Sequence, residues 1–408
     1  MKKHTPILEK LFNKNYQLID GTDEVFELDL ALWEYETLSK NDLIAKSAYF
    51  KLIDGVETTH YNMCNLQNLE EVHKESSFRT KNFFLSGKYS TGYATHGLFP
   101  YRGKFHPQLI RALLNILNVK KGDIVLDPMA GSSTVAVEAN LLGIDAVSVD
   151  ISPFCRIIGK VKTFALNLDV DILENISSNP KKILNKLNKD RVPKYFNEKE
   201  DADKPYYEVL LLAFLDAIGF ANRTSASLDE LYPRVLERYI ATIKYFQAAR
   251  KKLNIKIGNS TILQGNALKL PLEDNSVDAI ITSPPYSFAI DYLKNDEPQL
   301  RYLDANIELL RSQMIGLQGH GTEEKLQIYF DTMQKSICEM YRVLKKKSPL
   351  VIVIGTNDIQ TKGVRLETEI IDITKKSGFN FTYNLMKPIR GINNSMKEEN
   401  VLFFTKKD

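Results

Sequence analysis

The chain has 408 residues, of which 43% are hydrophobic and 26% charged, and its formal net charge is +3. This balance is ordinary for globular domains and excludes a wholly disordered chain, a collagen and a coiled-coil rod. The length leaves room for two or three domains and a sizeable core, so no disulfide or metal is needed as a staple.

Residues 1–94 mix polar and aromatic side chains (Trp33, Tyr35, Tyr49, Tyr61) without a clean alternation of strand and helix, and read as an accessory segment. From Pro107, apolar residues recur at helical spacing, with the proline suited to a first turn. A short buried strand at 124–126 ends at Asp127-Pro128; Ser132, Ser133 and Thr134 offer caps for a helix over 135–142, which Gly143 closes. A second strand, 146–149, ends at Asp150. Residues 163–255 are mainly helical, too long for a simple crossover, and predict an inserted subdomain. Strands follow at 261–263 and 277–282, the latter stopped by Ser283-Pro284-Pro285-Tyr286. Residues 287–320 are polar and aromatic; then come a helix over 323–344, a strand over 350–354 and a terminal strand pair, 378–385 and 400–405. The alternation predicts an α/β fold with a mainly parallel, doubly wound sheet, which binds ligands beyond the carboxyl ends of its strands. The expected divisions are 1–94, 95–162, 163–255 and 256–408.

The chemistry-bearing motifs sit at such strand ends. In Asp127-Pro128-Met129-Ala130-Gly131-Ser132, a strand runs into a small-residue turn and a helix start. Gly131 permits close backbone approach, and the helix N-terminus offers free N–H groups. The motif is neither GxGxxG nor GxxxxGK[ST], which disfavours nicotinamide dinucleotides and nucleoside triphosphates. Taken alone it is equally a plain strand–turn–helix corner. Asp150 can accept the two hydroxyls of a ribose or cap the helix after Ser152-Pro153; Asn266 can meet an adenine edge or simply close a turn. Ser283-Pro284-Pro285-Tyr286 is the sharpest signal. Two prolines end a buried strand and leave a rigid cluster of acceptors, the Ser283 hydroxyl and the carbonyls of residues 283 and 284, beside the face of Tyr286. Such a cluster suits the exocyclic amine of a stacked nucleobase.

Taken together and in this order, these motifs resemble the amino-methylating DNA methyltransferases, which use S-adenosylmethionine on cytosine N4 or adenine N6. The stretch 95–107, containing Lys104, Phe105 and Pro107, resembles their upstream cofactor motif, and 341–345 resembles their late helix-to-strand corner. The resemblance covers about 95–160 and 258–405. It implies a seven-stranded sheet, with 95–162 as the cofactor half and 256–408 as the catalytic half. Asp127, Pro128 and Gly131 would line the methionine end of the cofactor, Asp150 would hold the ribose and Asn266 would meet the adenine. Lys104, Phe105 and Pro107 would close the pocket. Ser283, Pro284, Pro285 and Tyr286 would hold a flipped base. Two positions depart from the pattern: Ser133 stands where glycine is common, and Asn266 where aspartate is frequent. Serine first in the tetrad is typical of cytosine-N4 enzymes; aspartate or asparagine first is typical of adenine-N6 enzymes.

The implied partners are double-stranded DNA and, in a restriction–modification pair, a cognate restriction endonuclease. Lys181, Lys182, Lys186, Lys189, Arg191 and Lys194 of the insertion could meet phosphates, although nearby acids nearly balance them. Tyr292, Arg301 and Tyr302 follow the tetrad and could lie near DNA. A ring-carbon methylator would need a cysteine in the tetrad; none is there, and Cys155 and Cys338 read as core residues. No CxxC pair or Cys/His cluster at zinc spacing is present, so no metal is expected, and the three cysteines suit a reducing cytoplasm. Residues 1–15 lack the apolar stretch of a secretory signal, and no apolar run reaches the roughly 18 residues that a membrane span needs. Rival readings are an RNA base methyltransferase, an inactive methyltransferase fold serving as a scaffold, and a nicotinamide oxidoreductase.

Overall fold

The computed structural model describes residues 10–22, 24–65, 91–101, 103–197, 203–286, 291–389 and 398–408, with backbone only at 65 and 190–197. A small antiparallel sheet comes first: β1 (Tyr16–Leu18), β2 (Phe50–Ile53) and β3 (Val56–Glu57). The main sheet follows, with β4 (Ile124–Asp127), β5 (Asp145–Asp150), β6 (Ser260–Gln264), β7 (Ala279–Thr282), β8 (Pro349–Gly355), β9 (Phe379–Pro388) and β10 (Glu398–Lys406). Its seven strands lie in the order β6-β5-β4-β7-β8-β10-β9. β4 to β8 pair in parallel, whereas β10 runs antiparallel between β8 and β9. The apolar runs of β4, β7 and β8 are covered on both faces, as central parallel strands must be. The doubly wound, mainly parallel sheet is the one that the sequence predicts.

From β4 the chain builds outward to β5 and β6, then returns to lay β7 on the other side of β4. The carboxyl ends of β4 and β7 therefore flank the point where the winding reverses, the usual ligand crevice of such sheets. Asp127 and Ser283 sit at these two ends.

Both additions to the sheet pack tightly. Phe26, Leu30, Phe50 and Ile53 from the first 65 residues share one core with Leu109, Val125, Val135, Val351 and Val401. Buried Glu34 ties the same layer together, accepting from Ala48 N at 2.9 Å and from Asn115 Nδ2 at 2.6 Å. The helices Pro153–Phe164, Val170–Ser177, Lys204–Ala221 and Leu228–Leu253 form a second core with Leu293, Leu300 and Leu310 from the segment after the tetrad. The run 209–215 is apolar all round and wholly buried, as expected of a helix at the centre of a bundle. Tyr302 Oη donates to Leu187 O at 2.7 Å, so this side chain braces the insertion. Arg301 pairs with Glu297 one helical turn away.

Two local expectations are corrected. Ser133 makes no side-chain capping bond to the helix Thr134–Leu141; its backbone is left-handed, at φ +55°. Its hydroxyl is turned instead onto Gly159, where a Cβ would collide with Ser133 Oγ. Cys338 is exposed on the long helix Gly321–Val343 rather than in the core, whereas Cys155 is buried. Among the described residues, no helix is long and apolar enough to cross a membrane, and no group of His, Cys, Asp and Glu could hold a metal ion.

Candidate active site

A cavity opens at the carboxyl ends of β4, β5 and β7. Of the residues singled out in the sequence, Lys104, Phe105, Asp127, Pro128, Gly131, Asp150, Asn266, Ser283 and Pro285 line it. Pro107 is buried as the first residue of the helix Pro107–Ile116 and stands outside the lining, as do Pro284 and Tyr286. The wall also contains residues that the motifs did not reveal: Tyr101, Cys155, Tyr292, Asp296 and the run 313–315. Tyr101 lies inside the recognised 95–107 stretch and could have been found there. Asp296 and 313–315 come from a segment with no motif, and only the fold brings them to the crevice.

Three carboxylates face this cavity. Asp127 Oδ1 accepts from Thr282 Oγ1 at 2.8 Å and from Met129 N at 3.2 Å, so β4 and β7 are joined at the winding reversal. Among the described residues, its Oδ2 is buried without a hydrogen-bond partner. Burial, with a smaller push from Asp150, raises the Asp127 pKa to about 7 despite these hydrogen bonds. Asp150 accepts from Gly131 N at 2.7 Å and from Ser152 N at 2.9 Å, which fixes the glycine turn against the end of β5. Burial raises its pKa as well. Asp296 is pushed up to about 7 by burial and by the nearby Asp150 charge. Gly131 has φ +47°, a left-handed conformation that glycine takes without the strain a Cβ brings.

The opposing wall is aromatic and basic. The Tyr101 and Tyr292 rings lie parallel, 6° apart in plane with centroids at 6.4 Å. Lys104 Nζ donates to Thr91 O at 3.2 Å, and burial lowers its pKa. The loop carrying Lys104 is anchored from below by Glu138 of the helix Thr134–Leu141. Glu138 accepts from Tyr93 Oη at 2.7 Å, His96 Nε2 at 2.7 Å and Arg111 Nε at 2.9 Å. Burial opposes the Glu138 charge, but Arg111 and the His96 hydrogen bond outweigh it and hold the pKa at about 2. His96 is itself buried and pushed down to about 4, so it stays neutral. Both His96 and Glu138 thus act beneath the loop, away from the cavity lining.

At the tetrad, Ser283 Oγ donates to Tyr286 Oη at 3.1 Å, and Tyr286 Oη donates to Glu399 Oε1 of β10 at 2.9 Å. Lys387 Nζ of β9 lies 2.5 Å from Glu399 Oε2. Burial raises the Tyr286 pKa well above its ordinary value, so the phenol keeps its proton. Asn266 Oδ1 accepts from Leu268 N at 2.9 Å, which turns its side-chain carbonyl into its own loop. Lys181, Lys182 and Lys189 are exposed on the insertion and Lys186 is half-buried, while the side chains of Arg191 and Lys194 lie outside the described residues.

The donor set fits S-adenosylmethionine. Cationic and hydroxyl groups suit a cavity with three carboxylates, one carrying an unpartnered buried oxygen, while Lys104 offers a countercharge for a carboxylate.

Residues 98–187 match a family model described as an RMKL-like methyltransferase domain. The chain is 24% identical over 298 residues to "Type II methyltransferase M.BsoBI" of Geobacillus stearothermophilus, covering 59% of this chain and 58% of the relative. It is 31% identical over 166 residues to "Type II methyltransferase M.MjaII" of Methanocaldococcus jannaschii, covering 40% of this chain and 29% of that protein. A shorter match, 42% over 53 residues, is to a "tRNA (guanine(10)-N2)-dimethyltransferase" of Methanothermobacter thermautotrophicus, covering 13% of this chain and 16% of that one. The chain thus spans between a sixth and three fifths of these relatives. These matches agree with the resemblance carried by the motifs: the chain is similar to the amino-methylating DNA methyltransferases, and its cofactor is S-adenosylmethionine.

Proposed function

We propose that the protein is a DNA methyltransferase that moves a methyl group from S-adenosylmethionine to the N4 amine of a cytosine flipped out of the duplex. The observation that carries this reading is that one cavity wall holds both Ser283 and Pro285 of the tetrad and the strand-end residues Asp127, Gly131 and Asp150. Ser283, which this reading assigns to the base, and the residues it assigns to the cofactor thus line the same space. The relatives named Type II methyltransferases support DNA as the substrate. Serine at position 283 favours cytosine N4 over adenine N6.

S-adenosylmethionine, when bound, supplies an electrophilic methyl group. The chain's own residues do the rest. Asp127, Pro128 and Gly131 hold the methionine end, Asp150 the ribose, Asn266 the adenine, and Lys104 and Phe105 close the pocket, with Pro107 starting the helix behind them. A base stacked in a duplex cannot present its amine to this crevice, so it must be flipped, at about a few kcal/mol. Ser283 Oγ, in the lining, accepts one amine hydrogen and the carbonyl of Pro284, next in the chain behind it, the other once the base is seated, which turns the nitrogen lone pair away from the ring. Pro285 and Tyr286 stiffen and flank the base site. Orientation of this kind supplies much of the barrier reduction. The exposed lysines of the insertion meet phosphates, and a cognate restriction endonuclease is a fitting partner.

The deciding experiment expresses wild type and Ser283→Ala in a methylation-free host and analyses digested DNA by nucleoside mass spectrometry. N4-methylcytosine in wild type alone supports the proposal. N6-methyladenine instead keeps the fold, cofactor and pocket but overturns the assignment from Ser283. No methylated deoxynucleoside, with S-adenosylmethionine still bound in vitro, turns the search to RNA, where the tRNA guanine-N2 relative also modifies an exocyclic amine.

A further inference from the structure

We infer that Glu399 fixes the hydrogen-bond polarity of Ser283 and thereby makes the base site selective for an exocyclic amine over a carbonyl oxygen. This inference rests on the proposed base-amine pocket and names a residue outside its motifs. A serine hydroxyl facing a base is ambiguous, since it can donate or accept. An acceptor suits an amine, whereas a donor suits the oxygen of a deaminated base. The network behind Ser283 removes the ambiguity, proton by proton. Glu399, ion-paired to Lys387, is a carboxylate and can only accept. Its Oε1 therefore takes the single Tyr286 proton, at 2.9 Å. With that proton engaged, Tyr286 Oη can only accept from Ser283 Oγ, at 3.1 Å. Ser283 spends its proton on that bond, and giving it up to donate into the cavity costs the bond, so the oxygen is set to accept from whatever lies in the cavity it lines. The chain of donors runs one way, out of the cavity and into β10.

Glu399 touches neither base nor cofactor in this scheme; it is a positioning residue acting through Tyr286 and Ser283. Replacing it by glutamine keeps the shape but restores the ambiguity. The amide nitrogen can donate to Tyr286, Tyr286 to Ser283, and Ser283 then to the ligand.

The test uses equilibrium binding, with no turnover and no cofactor present. The modified sequence is first mapped by sequencing DNA methylated by the wild type. Short duplexes carrying that sequence then present either the target base or its deaminated counterpart, each opposite an abasic position so that pairing is equal. The counterpart is uracil for cytosine and hypoxanthine for adenine. Fluorescence anisotropy gives the ratio of the two affinities for wild type, Glu399→Gln and Tyr286→Phe, each checked for folding by thermal melting. We expect the wild type to favour the amino base by at least about tenfold, because two facing acceptors leave a buried group unpaired. The preference should fall to within about threefold in both variants, since loss of the Tyr286 hydroxyl also frees the Ser283 proton. A merely structural Glu399 would weaken both duplexes alike and leave the ratio unchanged; that result overturns the inference alone. If wild type methylates no DNA, the proposed function falls and the inference falls with it.

Discussion

Asp127→Asn should stabilise the protein above neutral pH while weakening its hold on S-adenosylmethionine. Asp127 is 1% exposed, and burial raises its pKa from 3.8 to about 7. The native state therefore keeps a proton that the unfolded chain releases, and stability falls as pH rises from 3.8 through about 7. A shift of about three units amounts to about 4 kcal/mol, fully expressed above pH ~7. Between pH 5 and pH 8 the difference is about 3 kcal/mol. Asparagine keeps the acceptor that Thr282 and Met129 use and replaces the unpartnered Oδ2 by an uncharged group. Chemical denaturation of wild type and variant at pH 5 and pH 8 measures the effect directly. The stability gap should widen in favour of the variant by about 3 kcal/mol at the higher pH. A gap that is independent of pH, or a variant that is less stable at pH 8, refutes burial of the charge as its cause. Calorimetry on the pH 8 samples, where Asp127 is ionised, should show S-adenosylmethionine affinity lowered at least about tenfold, as expected when a charge-assisted hydrogen bond is lost.

Other consequences follow from the packing beneath the site. Ser133→Gly removes a left-handed non-glycine residue and should add about 1 kcal/mol to stability, read from the melting temperature. Gly159→Ala should lose about 1–3 kcal/mol, because its Cβ would collide with Ser133 Oγ and meet Ile262 Cγ2 at 3.1 Å. The double variant should recover most of that loss, and additive effects would count against the contact. Glu138→Ala leaves Arg111 buried without its anion and should cost about 3–5 kcal/mol. The Glu138 pKa is lowered from 4.5 to about 2, so its stabilisation is present above pH 4.5 and lost as pH falls through 2. Acid titrations should show that the wild type's stability falls more steeply than the variant's across that window.

What the sequence disclosed was decided by the range of the forces involved. β4, β5 and β7 were legible because central parallel strands are continuous apolar runs bounded by turn residues, a local pattern. Asp127, Asp150 and Ser283 were legible for a related reason: the chemistry of a doubly wound sheet sits where a strand stops, and prolines and glycines mark those places. Asp296 carries no such mark. It lies in a short helical segment whose neighbours, Leu293 and Leu300, are held by the insertion's core, and tertiary packing alone sets its acid against the cavity. Ser133 shows the opposite limit. As a sequence it looks like a helix cap, but the turn demands a left-handed residue there, and the space opposite exists only because position 159, on another helix, is glycine.

The same distinction orders the tetrad. Ser283-Pro284-Pro285-Tyr286 announces rigid acceptors, yet four residues cannot state which way a hydroxyl points. That direction is set 113 residues later by a carboxylate on β10, which β9 in turn pins with a lysine. The antiparallel pair that closes the sheet is thus more than an edge. It brings a fixed acceptor to the back of the base site, and two hydroxyls in line from that acceptor pass their protons toward it, leaving the Ser283 oxygen to accept from the base. A serine-first tetrad without such a carboxylate behind it could serve an oxygen as readily as an amine.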